Sequence, residues 1–205
     1  MNNTSRTRGL VLSGLSIALL AVGAMISVPF GPVPFTLQTM MLGIIICILS
    51  PKQSVVAVGG YLLLGAFGLP IFAGMRGGIA VLAGPTGGFL IGFFLATVII
   101  AILRSKLVKL TGDVSLSTFR KTKVDRETSP VNFIAVDVLS LVVLSLVYYA
   151  LGCVWFSFVA NTGLDVALTT CVVPFVLPDI LKAIAAVVCA QPVRAALRGN
   201  VKTVA

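Results

Sequence analysis

The chain has 205 residues, of which 58% are hydrophobic and only 10% charged, with a mean hydropathy of +1.12; a soluble domain of this size carries about 25% charged residues, so most of the chain is built to face something other than water. The net charge is +9, but the basic residues flank apolar blocks, which is the pattern of membrane topology and not of a nucleic-acid surface. Four scattered cysteines without a CxxC pair, and no histidine, argue against a metal site or a Cys/His catalytic centre; no cofactor and no enzymatic activity are expected, and the cysteines read as small apolar residues.

Six apolar blocks follow in order: Leu10–Val28, Phe35–Leu49, Val55–Leu69, Phe89–Leu103, Phe133–Leu151 and Ile180–Leu197. Backbone at lipid-exposed depth needs internal hydrogen-bond partners, so each block is expected to be a transmembrane helix. The expected fold is an all-α integral membrane protein, one domain over residues 1–205, with six transmembrane helices. The first block follows Arg6 and Arg8 and could open a signal peptide, but it is long for one and five more blocks come after it. Within it, Gly14 and Ala18 form a small-xxx-small pair, with Ala21 expected on the same face, a stripe that permits close helix packing inside this bundle or against another subunit.

The segment Val28–Thr39 reads VPFGPVPFTLQT, with three prolines before the second block. Gln38 in it can hydrogen-bond a ligand or a neighbouring helix. Between the third and fourth blocks, Gly68–Gly88 reads GLPIFAGMRGGIAVLAGPTGG. Apolar yet rich in Gly and Pro, it suits neither a span nor a soluble loop. It is expected to be a re-entrant or lid-like outer loop over a pocket; a plain turn is the alternative. Arg76 within it suits a planar carboxylate or is simple surface charge. GPTGG lacks the Lys-Ser/Thr pair of a phosphate loop.

The 29-residue stretch Arg104–Asn132 is the one long polar segment, expected to be a cytoplasmic loop that meets lipid headgroups or a partner, or is merely solvated. Asp137, in the fifth block, is expected to pair with a neighbouring Arg or Lys. Tyr148, Tyr149 and Trp155 cluster towards the end of that block, as an interfacial aromatic belt does; Tyr149 is also a candidate ligand contact. In PFVLPDILKA, Asp179 and Lys182 stand three apart, on one face of a helix. Ionisable groups in a span usually face a cavity. The alternative is that Asp179 only marks a helix N-terminus after Pro178, and that Lys182 only pairs with it or snorkels. With cytoplasmic termini, thirteen of the fifteen basic residues lie on the inner side, and Arg76 lies outside.

VPFGPVPFTLQT, GLPIFAGMRGG, GPTGGFLIGFFLA and PFVLPDILKA together resemble the BioY family, the biotin-specific S components of energy-coupling factor transporters, over nearly the whole chain and in order. The resemblance implies an S-component-like six-helix bundle in the bacterial cell membrane with a vitamin site near the outer face. It implies polar contacts to biotin from Asp179 and Lys182. Phe72, Ala73 and Gly74, with Thr86, Gly88 and Phe89, would form part of the pocket and its loop. Gly14 and Ala18 would dock on the transmembrane coupling subunit, whose complex carries two ATPases. Pro178 stands where the family often has Gly, Phe89 where Tyr is common, and the loop after Arg104 is longer than typical. Biotin suits these residues: two ureido N–H donors and a carbonyl, an apolar thioether ring and chain, and a carboxylate tail. An S component for another small vitamin, an ion-coupled secondary transporter working through Asp137, and a membrane protein without ligand are the competing readings.

Overall fold

A computed structural model describes residues 3–111 and 130–202; most of the polar stretch expected after Arg104 lies outside the described residues. The described chain is almost entirely helical: α1 (Asn3–Met25), a two-stranded hairpin of β1 (Ser27–Val28) and β2 (Phe35–Thr36), α2 (Gln38–Ile48), α3 (Pro51–Ala66), α4 (Ile79–Ala83), α5 (Gly87–Thr111), α6 (Pro130–Ala160), α7 (Leu164–Cys171) and α8 (Val173–Lys202). Each apolar block falls largely within one of the long helices. Among the described residues, three helices contain stretches long and apolar enough to cross a membrane: Gly87–Lys106, Ile134–Ala160 and Val173–Ala196.

Several boundaries differ from those read in the sequence. The second block does not start as helix. Pro29, Pro32 and Pro34 supply no N–H donors, and the chain turns back at Gly31 so that Val28 pairs with Phe35 and Ser27 with Thr36. Helix begins only at Gln38. Arg104–Thr111 is not loop but the end of α5. Asp179 is the seventh residue of α8, not at a helix N-terminus, because the helix continues through Pro178. The start of α3 follows local chemistry: Pro51 takes the first helical position and Gln53 Oε1 accepts from Ser50 N (3.3 Å) and Oγ (2.8 Å).

The core is a bundle in which α5 packs on α6 and α3, α2 packs on α8, and α1 covers α2 and α3, while α6 and α8 meet over only a short stretch. Close approach of α5 to α6 depends on glycine. A Cβ on Gly88 would sit 2.2 Å from Trp155 Cβ, and one on Gly92 would sit 2.8 Å from Tyr148 Cα. Many large apolar side chains point outward, among them Leu146, Phe158 and Leu177, as a hydrocarbon surrounding requires. In α1, Gly14 and Ala18 are exposed whereas Ala21 is buried; the small stripe therefore does not extend to Ala21, which packs inside this bundle.

One buried polar cluster ties the helices together. Asp137 is 2.8 Å from Arg104 on α5 and 2.8 Å from Arg194 on α8. Arg104 Nη1 also donates to Ile46 O (2.6 Å) and its Nε to Ser140 Oγ (2.9 Å), and Arg194 Nη2 donates to Cys47 O. The cationic partner expected for Asp137 is thus two arginines from separate helices. Cys47, Cys153 and Cys171 are buried free thiols, in keeping with their reading as small apolar residues.

Candidate functional site

A pocket opens where the hairpin, the start of α2, the Gly68–Gly88 segment and the helices α5, α6 and α8 converge. Its floor is Asp179. Oδ1 accepts from Lys182 Nζ (2.9 Å) and Thr39 Oγ1 (3.1 Å); Oδ2 accepts from the hydroxyls of Tyr148 and Tyr149, each at 2.6 Å. A carboxylate has about four lone-pair positions, and all are used. Lys182 Nζ lies 3.7 Å from the centroid of the Phe35 ring, so its charge is held between a carboxylate and an aromatic face. Both ionic side chains are 9% exposed. A pair this buried is stable only while its remaining hydrogen bonds are made, and the two tyrosines and Thr39 make them.

The walls are mostly apolar. Phe89 and Phe93 come from α5 and Phe175 from α8, and Val33 comes from the hairpin. The Phe93 ring meets Tyr148 edge-on at 5.2 Å. Above them, the Gly-rich segment folds on itself: Phe72 N donates to Arg76 O (2.9 Å) around a turn in which Gly74 has φ +70°. Phe72 is buried against Tyr61, ring to ring at 5.4 Å, and Tyr61 OH donates to Ile71 O (2.9 Å). Ala73 and Arg76 line the pocket mouth; Arg76 is exposed and its Nε donates to Ala73 O (3.2 Å). Gln38, at the first turn of α2, is 4% exposed, and its Nε2 has no partner. It is a buried donor on the pocket wall.

Nine of the eleven ligand-site candidates read from the sequence meet here: Gln38, Phe72, Ala73, Arg76, Thr86, Phe89, Tyr149, Asp179 and Lys182. Gly74 and Gly88 do not line the pocket. Gly74 shapes the turn that presents Ala73 and Arg76, and Gly88 lets α5 lie against Trp155. The aromatic-belt reading is corrected. Tyr148 is 3% exposed and points to Asp179, and Trp155 Nε1 donates to Gly84 O (3.0 Å), pinning the Gly-rich segment to α6. Sequence reasoning missed Thr39, although it adjoins Gln38, and of the three clustered aromatics it chose Tyr149 over Tyr148 as the ligand contact. The sequence carries no stripe that would have turned Tyr148 inward: α6 is apolar on every side, and Leu139, Val142 and Leu146 are exposed where Leu141 and Leu144 are buried.

A profile of the BioY family matches residues 1–199. A protein described as a probable biotin transporter BioY from Pyrococcus horikoshii is 36% identical over 189 residues, covering 92% of this chain and 95% of that relative. The biotin transporter BioY2 of Lactococcus lactis is 33% identical, covering 90% and 88% of the two chains. The biotin transporter BioY of Thermotoga maritima is 50% identical over 99 residues, a match that spans 48% of this chain and 59% of that protein. Among solved structures, the S component for biotin from an ECF-type ABC transporter superposes with a TM-score of 0.75 at 28% identity, covering 95% of both chains.

Proposed function

This chain belongs to the BioY family, and we propose that it is a membrane protein that binds biotin in the Asp179 pocket and serves biotin uptake as the substrate-specific subunit of an energy-coupling factor transporter. The observation that carries this reading is the buried carboxylate with four donors at the floor of an otherwise apolar pocket, the usual design of a small-ligand site. A ureido group is planar and carries two N–H donors beside one carbonyl. Asp179 supplies acceptor oxygens, and the unpartnered Gln38 Nε2 or Lys182 supplies a donor. Phe89, Phe93 and Phe175 suit the thioether ring and alkyl chain. Exposed Arg76 at the mouth suits the carboxylate tail.

In this reading α1, α2, α3, α5, α6 and α8 are the six spans. The eleven residues of α2 reach about 16 Å, short of the hydrocarbon thickness; the half-buried strand β2, paired with β1, leads the chain into α2. The pocket opens outward beneath the Gly68–Gly88 segment, both termini are cytoplasmic, and the exposed Gly14–Ala18 stripe docks on the transmembrane coupling subunit of a module with two ATPases. Asp137 carries two arginines, which supports a structural role over ion coupling. The test is calorimetry of the purified chain with biotin and with other vitamins. Submicromolar binding of biotin alone is expected; preference for a different vitamin would reassign the pocket within the same architecture.

A further inference from the structure

Asp179 has no vacant acceptor position: Lys182, Thr39, Tyr148 and Tyr149 take all four. A ligand that donates to this carboxylate must therefore replace one of them. We propose that Tyr149 is the exchanged donor. A ligand N–H takes Oδ2, and the tyrosine ring turns out of the pocket into the apolar groove between α6 and α8. This rests on the ligand reading of the pocket and deepens it by naming the residue whose displacement is coupled to binding.

The other three donors are held. Tyr148 is 3% exposed and fixed between Phe93 and the close approach at Gly92. Lys182 supplies the balancing charge of a buried acid, and its departure would leave that charge unpaired. Thr39 is short; turning its hydroxyl away frees an acceptor position but opens little room for a ligand.

Tyr149 is different. It is half-buried, and Tyr149 and Asp179 are the residues that line both the polar pocket and a second, open apolar groove. That groove runs along Val142, Ser145 and Leu146 of α6 and Val176, Ile180 and Ala183 of α8, where the two helices barely touch, and its Val142, Leu146 and Ile180 are exposed. It gives the ring somewhere to go. A phenol hydroxyl left unpaired among apolar groups is costly, but Ser145 lines the groove one turn earlier on α6, on the face shared by positions i and i+4. Long helical side chains lean towards the preceding turn, so the hydroxyl of a swung Tyr149 meets Ser145 Oγ.

The exchange makes two neighbouring tyrosines differ in sign. Tyr149→Phe removes the competitor for Oδ2, and biotin affinity should rise about three- to tenfold, the usual net worth of one hydrogen bond. Tyr148→Phe removes a donor that stays, and affinity should fall. Ser145→Ala should weaken binding a few-fold in the unmodified chain and have no effect in the Tyr149→Phe background, since the hydroxyl it receives is then absent. The measurement is calorimetry on full-length protein in lipid nanodiscs, with thermal melting as the control for folding. Loss of affinity in Tyr149→Phe matching that in Tyr148→Phe would show that both are static contacts and end the exchange model while leaving biotin binding intact. A gain in Thr39→Val in place of Tyr149→Phe would assign the exchange to the wrong residue. No biotin binding by the unmodified chain would remove the ligand reading and this inference together.

Discussion

Arg194 Nη2 lies 2.8 Å from Asp137 Oδ2, an ion pair closed across 57 residues of sequence. The same nitrogen donates to Cys47 O, and Arg104 donates to Ile46 O. Those carbonyls belong to the last turn of α2, where no following helical N–H can reach them, and cations are favoured at that end of the helix dipole. Two guanidinium groups and one carboxylate thus finish α2 inside the bundle and join it to α5, α6 and α8.

Asp137→Ala leaves two buried guanidinium groups without their acid. Destabilisation of about 3–5 kcal/mol is expected, as for other buried pairs that lose one partner, read as a large fall in melting temperature in detergent. Biotin affinity of the fraction that remains folded should be near normal, because the cluster shares no residue with the pocket. A stable Asp137→Ala protein whose uptake has lost dependence on an ion gradient would instead revive the ion-coupled reading.

Asp179→Asn should weaken biotin binding about ten- to a hundredfold, the consequence of losing a hydrogen bond to a charged group. Asparagine keeps one acceptor, but its amide N–H groups would face the donors of Lys182 or the tyrosines. Calorimetry on protein with an unchanged melting curve decides it; wild-type affinity would reduce Asp179 to a structural residue. Lys182→Met should also lower affinity, but it strands the carboxylate, so the Asn change is the cleaner test.

Gly14→Leu with Ala18→Leu should abolish co-purification with a coupling subunit while biotin affinity is kept. Both positions are exposed, and a Cβ added at Gly14 meets nothing within 4 Å among the described residues, so the expected effect is on a partner that needs the close approach small residues allow. Retention of the complex in the double variant would remove the docking role.

Single cysteines at positions 52 and 76, in a chain whose exposed Cys189 is replaced by alanine, report orientation. Arg76→Cys should react with an impermeant thiol reagent added outside intact cells, and Lys52→Cys only after lysis. The opposite pattern would invert the topology and place the Asp179 pocket on the inner side.

Hydropathy is a local property, and what is local was legible in the sequence. The apolar blocks, their order, the Asp179–Lys182 spacing of three and the unusual Gly-rich segment all follow from residues close in the chain, and each has its counterpart in the structure. The family was legible for the same reason, since its motifs are short and ordered. What only the tertiary structure decided is which side of each helix faces inward. In a membrane protein the side towards lipid is as apolar as the side towards the core, so periodicity carries little sign of burial; hence Ala21 and Tyr148 turn in while Leu146 turns out. The same holds for partners far apart in sequence. Thr39 reaches Asp179 across 140 residues, Tyr148 across 31, and Arg104 finds Asp137 across 33. A buried charge must be satisfied by whatever the fold brings to it, and packing alone fixes which residues those are.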